Sequence, residues 1–189
     1  MLKHFAPGKK TAKLSEDDLK HYTRNVPDLD GFHPGRRIRK HFEAVTGSWL
    51  GTVNNTHLGR LFEICVYDSL CFYGVPEDAI RLHVDASPGK HAEIDILVAP
   101  PGERAAALLL KTSFRERWKQ LDRDAMIIGM NRRDTSIYAL TYREGVRDFV
   151  STVQKRASNI EEMCMAKLKI ASILDEEATR AVFRACGVG

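Results

Sequence analysis

Two residues in this chain have the types and placement for phosphoryl or acid–base chemistry. Asp95 lies in the run Ala92-Glu93-Ile94-Asp95-Ile96-Leu97-Val98, and Lys111 ends the apolar run Ala105-Ala106-Ala107-Leu108-Leu109-Leu110. Pro100-Pro101-Gly102 between them is a turn signal, so the two runs read as the strands of a hairpin. Side chains alternate across a strand, which puts Asp95 on a face with Glu93 and Leu97, and Lys111 on a face with Leu109 and Ala107. Paired across the turn, the carboxylate and the ammonium project from one edge of the sheet. A lysine closing an otherwise apolar strand is costly to bury alone, so a carboxylate, a phosphate or a metal-bound water is expected beside it. On the pairing alone, a structural ion pair and a reactive site fit equally.

The residues around the pair go further. Asp95, a short turn, then Leu109-Leu110-Lys111-Thr112-Ser113 and Arg115-Glu116-Arg117-Trp118-Lys119-Gln120 resemble the catalytic core of the PD-(D/E)XK nuclease superfamily. The Lys-Thr-Ser and Arg-Trp-Lys-Gln block is similar to one in some type II restriction endonucleases, and the resemblance covers roughly residues 59 to 129. One position departs from the family pattern: two residues before the lysine, where an acid or glutamine is usual, stands Leu109, which cannot bind a metal. The resemblance then implies that a preceding helix supplies the second carboxylate, with Glu63 the candidate and Glu93 and Glu116 its competitors. Glu116 has another explanation, because Ser113 and Glu116 have the spacing of a capping box.

What the resemblance implies is an α/β fold with a restriction-endonuclease-like core, a central mixed β-sheet flanked by helices. Asp95, Glu63 and the backbone carbonyl of Leu110 are then the expected ligands of Mg²⁺. Lys111 is the expected stabiliser of the attacking water and scissile phosphate, kept protonated by the carboxylates around it. The implied activity is metal-dependent hydrolysis of double-stranded DNA, with a homodimer needed to cut both strands. A junction resolvase, a repair or packaging nuclease, and an inactive nuclease-like DNA-binding module are the alternatives on the same fold.

The elements that must position these residues follow from periodicity. A basic arm is expected over 1–13 and a capped helix over 15–24, followed by a Pro- and Gly-containing loop to 35. The next helix opens with Arg36, Arg37, Arg39 and Lys40, cations that oppose the positive end of a helix dipole; an anionic partner is expected there, a DNA phosphate among the choices. A helix over 57–73 carries an apolar stripe through Leu58, Leu61, Phe62, Cys65, Val66, Ser69 and Phe72, with Glu63 at its border. Strands are expected over 80–84, 92–98, 105–111 and 135–140. A helix over 113–127 would bring Arg115, Arg117, Lys119 and Gln120 toward DNA. Helices are expected over 145–157 and 161–184. This divides the chain into a basic N-terminal piece (1–50), a nuclease core (51–145) and C-terminal helices (146–189) that complete the core or form a dimer surface.

Composition sets bounds on this reading. The chain has 189 residues, 43% of them hydrophobic, which suits one domain with a sizeable core. No apolar run approaches the roughly 20 residues that cross a bilayer, nor does the start of the chain resemble a signal peptide, so a soluble cytoplasmic protein without membrane partners is expected. Cys65, Cys71, Cys164 and Cys186 lack metal-ligand spacing, and the seven histidines are scattered; reduced thiols and no zinc are expected. The formal net charge is +4, with excess positive charge in 1–50 and 111–133 and excess negative charge in 51–110. Positive segments thus bracket the acidic one that carries Glu63 and Asp95, a distribution suited to gripping a polyanion beside a metal-binding cluster.

Overall fold

A strand buried on both faces has no polar side to show, and Ala105–Lys111 is such a run. In the computed structural model, which describes residues 29–47, 55–87, 92–112, 118–142 and 168–189, it is the central strand of a five-stranded sheet. The strands are β1 (Ile80–Asp85), β2 (Glu93–Val98), β3 (Ala105–Lys111), β4 (Thr135–Thr141) and β5 (Leu168–Ser172), lying side by side in chain order. β1 with β2 and β2 with β3 pair antiparallel, and β3 with β4 and β4 with β5 pair parallel. The expected hairpin forms over Pro100 and Pro101, with Gly102 at φ +76° supplying the left-handed step of the turn. A parallel pair needs a crossover, and between β3 and β4 it contains helix α3 (Trp118–Asn131), numbered after α1 (Pro34–Thr46) and α2 (Asn55–Phe72).

The sheet separates two apolar layers. Ala106, Leu108 and Leu110 of β3 face a core with Ile38, Phe42 and Val45 of α1, Leu61, Phe62, Cys65 and Leu70 of α2, and Val182 and Phe183 of α4 (Glu176–Ala185). Ala107 and Leu109 face the other way, onto Leu121, Ala125 and Ile128 of α3. The fold is therefore α/β, a mixed sheet flanked by helices on both faces. Aromatic packing ties the first layer, with the Phe42 and Phe62 rings edge to face at 5.6 Å. The first turn of α1 comes very close to the end of β5: a Cβ on Gly35 would stand 2.4 Å from the Ile173 carbonyl oxygen, so only glycine fits there. Among the described residues no helix is long and apolar enough to cross a membrane.

Two expectations change. The segment 161–184 is not one helical stretch: Leu168–Ser172 is β5, and Asp175 caps α4 by accepting a hydrogen bond from the Ala178 N–H at 3.0 Å. A five-residue apolar run fits a buried parallel strand as well as a helix, and pairing with β4 decides. The sheet therefore draws its fifth strand from beyond residue 145, and α1, from before residue 50, packs on α2; the core is not confined to 51–145. The expected arm over 1–13, the helices over 15–24 and 145–157, and Cys164 lie outside the described residues.

The second change concerns Arg37. Its guanidinium is buried between α1 and α2, 3.2 Å from the Asp68 carboxylate and 3.7 Å above the Phe72 ring. It is turned inward and presents nothing to a nucleic acid. Its neighbour His41, fully buried, has Nδ1 3.4 Å from Asp68. Burial, with the Arg37 charge adding and Asp68 opposing, lowers the His41 pKa below its ordinary 6.5. The folded state therefore binds fewer protons at His41 than the unfolded chain. This stabilising contribution is intact above about pH 6.5 and is lost as pH falls below it. Urea unfolding across that range should show wild type losing stability on acidification more steeply than His41→Gln. Parallel curves for the two proteins would mean that His41 is not held neutral.

Candidate active site

The site begins with a break in a ladder. β1 and β2 pair as Ile80 with Val98, Arg81 with Leu97 and Leu82 with Ile96, then as Val84 with Ile94 and Asp85 with Glu93; the rung between His83 and Asp95 is missing. His83 has φ +53°, the left-handed region, which histidine enters more readily than most side chains. The face alternation inverts there in both strands. Leu82 and Ile96 lie on the α2 side, whereas Val84 and Ile94 belong to the α3 side. Asp95 is thus carried at a turning point, where the chain alters which face it shows.

β2 also leaves β3 at this point, the last rung being Ile96 with Leu108. The Leu110 N–H, buried at the edge that β2 vacates, needs another acceptor. Asp95 supplies it: Oδ2 accepts from Leu110 N at 2.6 Å and from Lys111 Nζ at 3.3 Å. The expected meeting of Asp95 with Lys111 therefore occurs, through a backbone contact as well as an ion pair. The N–H and C=O of one residue leave a strand on the same edge, so the Leu110 carbonyl opens toward this gap too, while Lys111 O turns the other way to accept from Tyr142 N.

Glu63, from α2, reaches the same place but is already engaged. Its Oε2 is 2.9 Å from Arg60 Nη1 and 3.2 Å from His83 Nε2, and His83 Nδ1 lies 2.5 Å from Glu93 Oε1. Arg60 also touches the His83 ring. The hydrogen bond to Glu63 raises the His83 pKa against the opposing effects of burial and Arg60, which favours the imidazolium. Asp95 is raised as well, chiefly by burial; Lys111 and the Leu110 N–H pull it down, and the charge of Glu63 pushes it up. Glu63, Glu93 and Asp95 thus face Arg60, His83 and Lys111 in a nearly balanced chain of charges.

Leu109 is 1% exposed and packed against α3. An acid at that position would be buried among Leu121, Ala125 and Ile128, which accounts for the apolar residue. Among the described residues no three His, Cys, Asp or Glu side chains gather in a way that could hold a metal ion. The oxygen donors at the gap are the Asp95 and Glu63 carboxylates and the Leu110 carbonyl.

α3 brings a residue that the sequence reading left out. Asp124 is 4% exposed and accepts a hydrogen bond from Arg123 at 3.3 Å. Burial raises its pKa, and the positive charge of Lys111 is among the influences that lower it. Helical spacing held the clue, since Asp124 lies three residues after Leu121 and four before Ile128, inside the buried stripe. His83 and Arg60 were missed for a different reason: ordinary strand alternation gives no sign of the inversion.

The other expected binding residues are dispersed. Arg36 is exposed on α1 with its guanidinium 4.6 Å above the Phe32 ring. Arg39 and Lys40 pair with Glu43 at 2.7 and 3.5 Å, so Glu43, together with Asp68 for Arg37, is the anion that this helix start called for. Gln120 is exposed. Arg115, Glu116 and Arg117 lie outside the described residues, as does the side chain of Lys119.

Comparison of the chain with protein-family models, with curated proteins and with solved structures gave no match.

If the left-handed step at His83 is what turns Asp95 into the gap, residue 83 must tolerate that backbone. His83→Gly and His83→Val both lose the ion pairs, but a β-branched side chain at positive φ adds strain of about 1–2 kcal/mol. His83→Val should therefore unfold at lower denaturant than His83→Gly by that margin. Equal stabilities would remove the backbone requirement.

Proposed function

We propose that this chain is a metal-dependent DNA endonuclease of the restriction type, hydrolysing phosphodiester bonds where β2 parts from β3. The observation that carries the reading is Asp95, half-buried at that split, accepting from both the Leu110 N–H and the Lys111 ammonium. A hard divalent cation suits this donor set, which is all oxygen and includes two carboxylates that repel each other. Mg²⁺ is commonly held by only one or two carboxylates and retains waters, so the absence of a three-residue cage is compatible with it. Asp95, Glu63 and the Leu110 carbonyl would hold the ion, which when bound supplies Lewis acidity toward a phosphodiester and its attacking water.

The chain's own residues do the remainder. Arg60 and His83 grip one oxygen of Glu63 and so fix how the carboxylate is presented. Lys111, 16% exposed at its side chain, offers N–H donors to a non-bridging phosphate oxygen and stabilises the charge that grows there. Arg36 and Gln120 are exposed and available to the DNA backbone, Arg39 and Lys40 are exposed but would have to leave Glu43 to reach it, and Arg115, Arg117 and Lys119 are further candidates. One such site cuts one strand, so double-strand cleavage calls for a homodimer. A specific observation favours a second reading: with Leu109 in the apolar core, β3 contributes no acid, which also fits a nuclease-like module that binds DNA without cutting it.

Supercoiled plasmid incubated with the protein in Mg²⁺ and in EDTA separates the two. Metal-dependent nicking or linearisation is expected. Asp95→Asn, which keeps an acceptor for the Leu110 N–H, and Lys111→Ala should abolish cleavage in folded protein. Glu63→Gln should reduce it roughly 100-fold or more. Undiminished cleavage by Asp95→Asn or Lys111→Ala overturns the site, and DNA binding without cleavage by wild type under Mg²⁺ or Mn²⁺ selects the second reading.

A further inference from the structure

One oxygen of Glu63 serves two basic groups: Oε2 lies 2.9 Å from Arg60 Nη1 and 3.2 Å from His83 Nε2. The two are not held alike. His83 is carried by β1 and has a second carboxylate, Glu93, 2.5 Å from its Nδ1. For Arg60, Glu63 is the one acidic partner among the described residues, and it stands three positions along the same helix, a spacing at which ion pairs contribute little. The guanidinium also presses on the imidazole, with Nη1 2.9 Å from Nδ1. The Arg60 side chain is 19% exposed, and beside it on α2 a Cβ on Gly59 would meet nothing within 4 Å, so this long side chain has room to turn. Of the two groups on Glu63, Arg60 is the looser.

We propose that Arg60 and a divalent cation compete for the Glu63 carboxylate, and that the displaced guanidinium turns to a phosphate of the DNA. The inference rests on the nuclease reading, which makes Glu63 a cation ligand. A carboxylate whose oxygen already accepts from two donors has little charge left for a dication, and a guanidinium beside that dication is repelled by it. One of the donors must give way. His83 is tied to Glu93 and to β1, and Arg60 is not. His83 therefore stays and keeps the carboxylate oriented, while Arg60 changes partner. A guanidinium is always charged and presents a planar fork of N–H donors that matches a phosphate, so the group that leaves Glu63 is one the substrate can hold. Cation and DNA then favour each other's binding, because each favours the same departure of Arg60 from Glu63.

Mn²⁺ binding without DNA, followed by the electron paramagnetic resonance of the free ion, reads the competition. Arg60→Gln should bind Mn²⁺ roughly 10-fold more tightly than wild type. Arg104→Gln, exposed just before β3 and away from the split, should match wild type. In protein labelled with ¹⁵N at arginine, the Arg60 Nε–H signal is assigned by its loss in Arg60→Lys; Mg²⁺ should shift it in wild type and leave it in place in Glu63→Gln. For the phosphate contact, a short DNA duplex is bound in Ca²⁺ and in EDTA and followed by fluorescence anisotropy, and wild type should gain more affinity from Ca²⁺ than Arg60→Gln does. Equal Mn²⁺ affinities in wild type and Arg60→Gln, or an Arg60 signal that stays put while the cation binds, overturn the competition and leave the nuclease reading standing. Equal gains from Ca²⁺ overturn the phosphate contact. If Arg60→Gln fails to fold, the wild-type Arg60 signal decides. Mn²⁺ that binds neither protein defeats the cation site itself, and this inference with it.

Discussion

A buried backbone N–H that loses its strand partner must find another acceptor, and in this fold that single requirement places the site. β2 stops pairing with β3 after Ile96, and the Leu110 N–H takes the Asp95 carboxylate in place of a backbone carbonyl. The carboxylate therefore sits where two strands part, buried but next to an opening. The same oxygen then draws Lys111, which otherwise would end an apolar strand with an unpaired charge. The inversion at His83 makes this possible by turning both β1 and β2 at the level of Asp95. Strain in the backbone, an orphaned donor and an ion pair are in this way parts of one local solution.

Electrostatics around the split follows from burial. Taking Asp95 out of water pushes its pKa up, and Glu63 pushes it further, while Lys111 and the Leu110 N–H resist. Glu63 in turn is steadied by Arg60 and His83, and His83 by Glu93. Such a set is costly to assemble and is stable only while every member has its partner, because a buried charge left alone is worth several kcal/mol of destabilisation. The split lies within a sheet that helices cover on both faces, and that packing sets where these side chains stand.

Much of this was legible in the residues. The alternating run before Pro100 and the apolar run after Gly102 form the expected hairpin, and Asp95 meets Lys111 as expected, although across the gap where β2 leaves β3 and not through strand pairing. Leu109 was visible as a non-ligand, and its burial against α3 gives the reason. Other features escaped because they depend on tertiary context. A histidine at positive φ looks like any strand residue in sequence. Leu168–Ser172 has an apolar pattern that serves strand or helix, and only an open edge on β4 selects the strand. Arg37 sits in a run of surface-like cations, yet the groove beside Asp68 and Phe72 takes it inside. Asp124 was legible in principle from its place between Leu121 and Ile128, inside the buried stripe of α3.

The central claim is that the split between β2 and β3 binds a divalent cation through Asp95, Glu63 and the Leu110 carbonyl. The most direct measurement is backbone NMR with substoichiometric Mn²⁺, whose unpaired electrons broaden only nearby amide signals. The account predicts selective loss of the Asp95, Leu110, Lys111 and Glu63 amide signals, reversed by excess Mg²⁺ and absent in Asp95→Asn. Broadening centred elsewhere, or none at any of these amides, would contradict it.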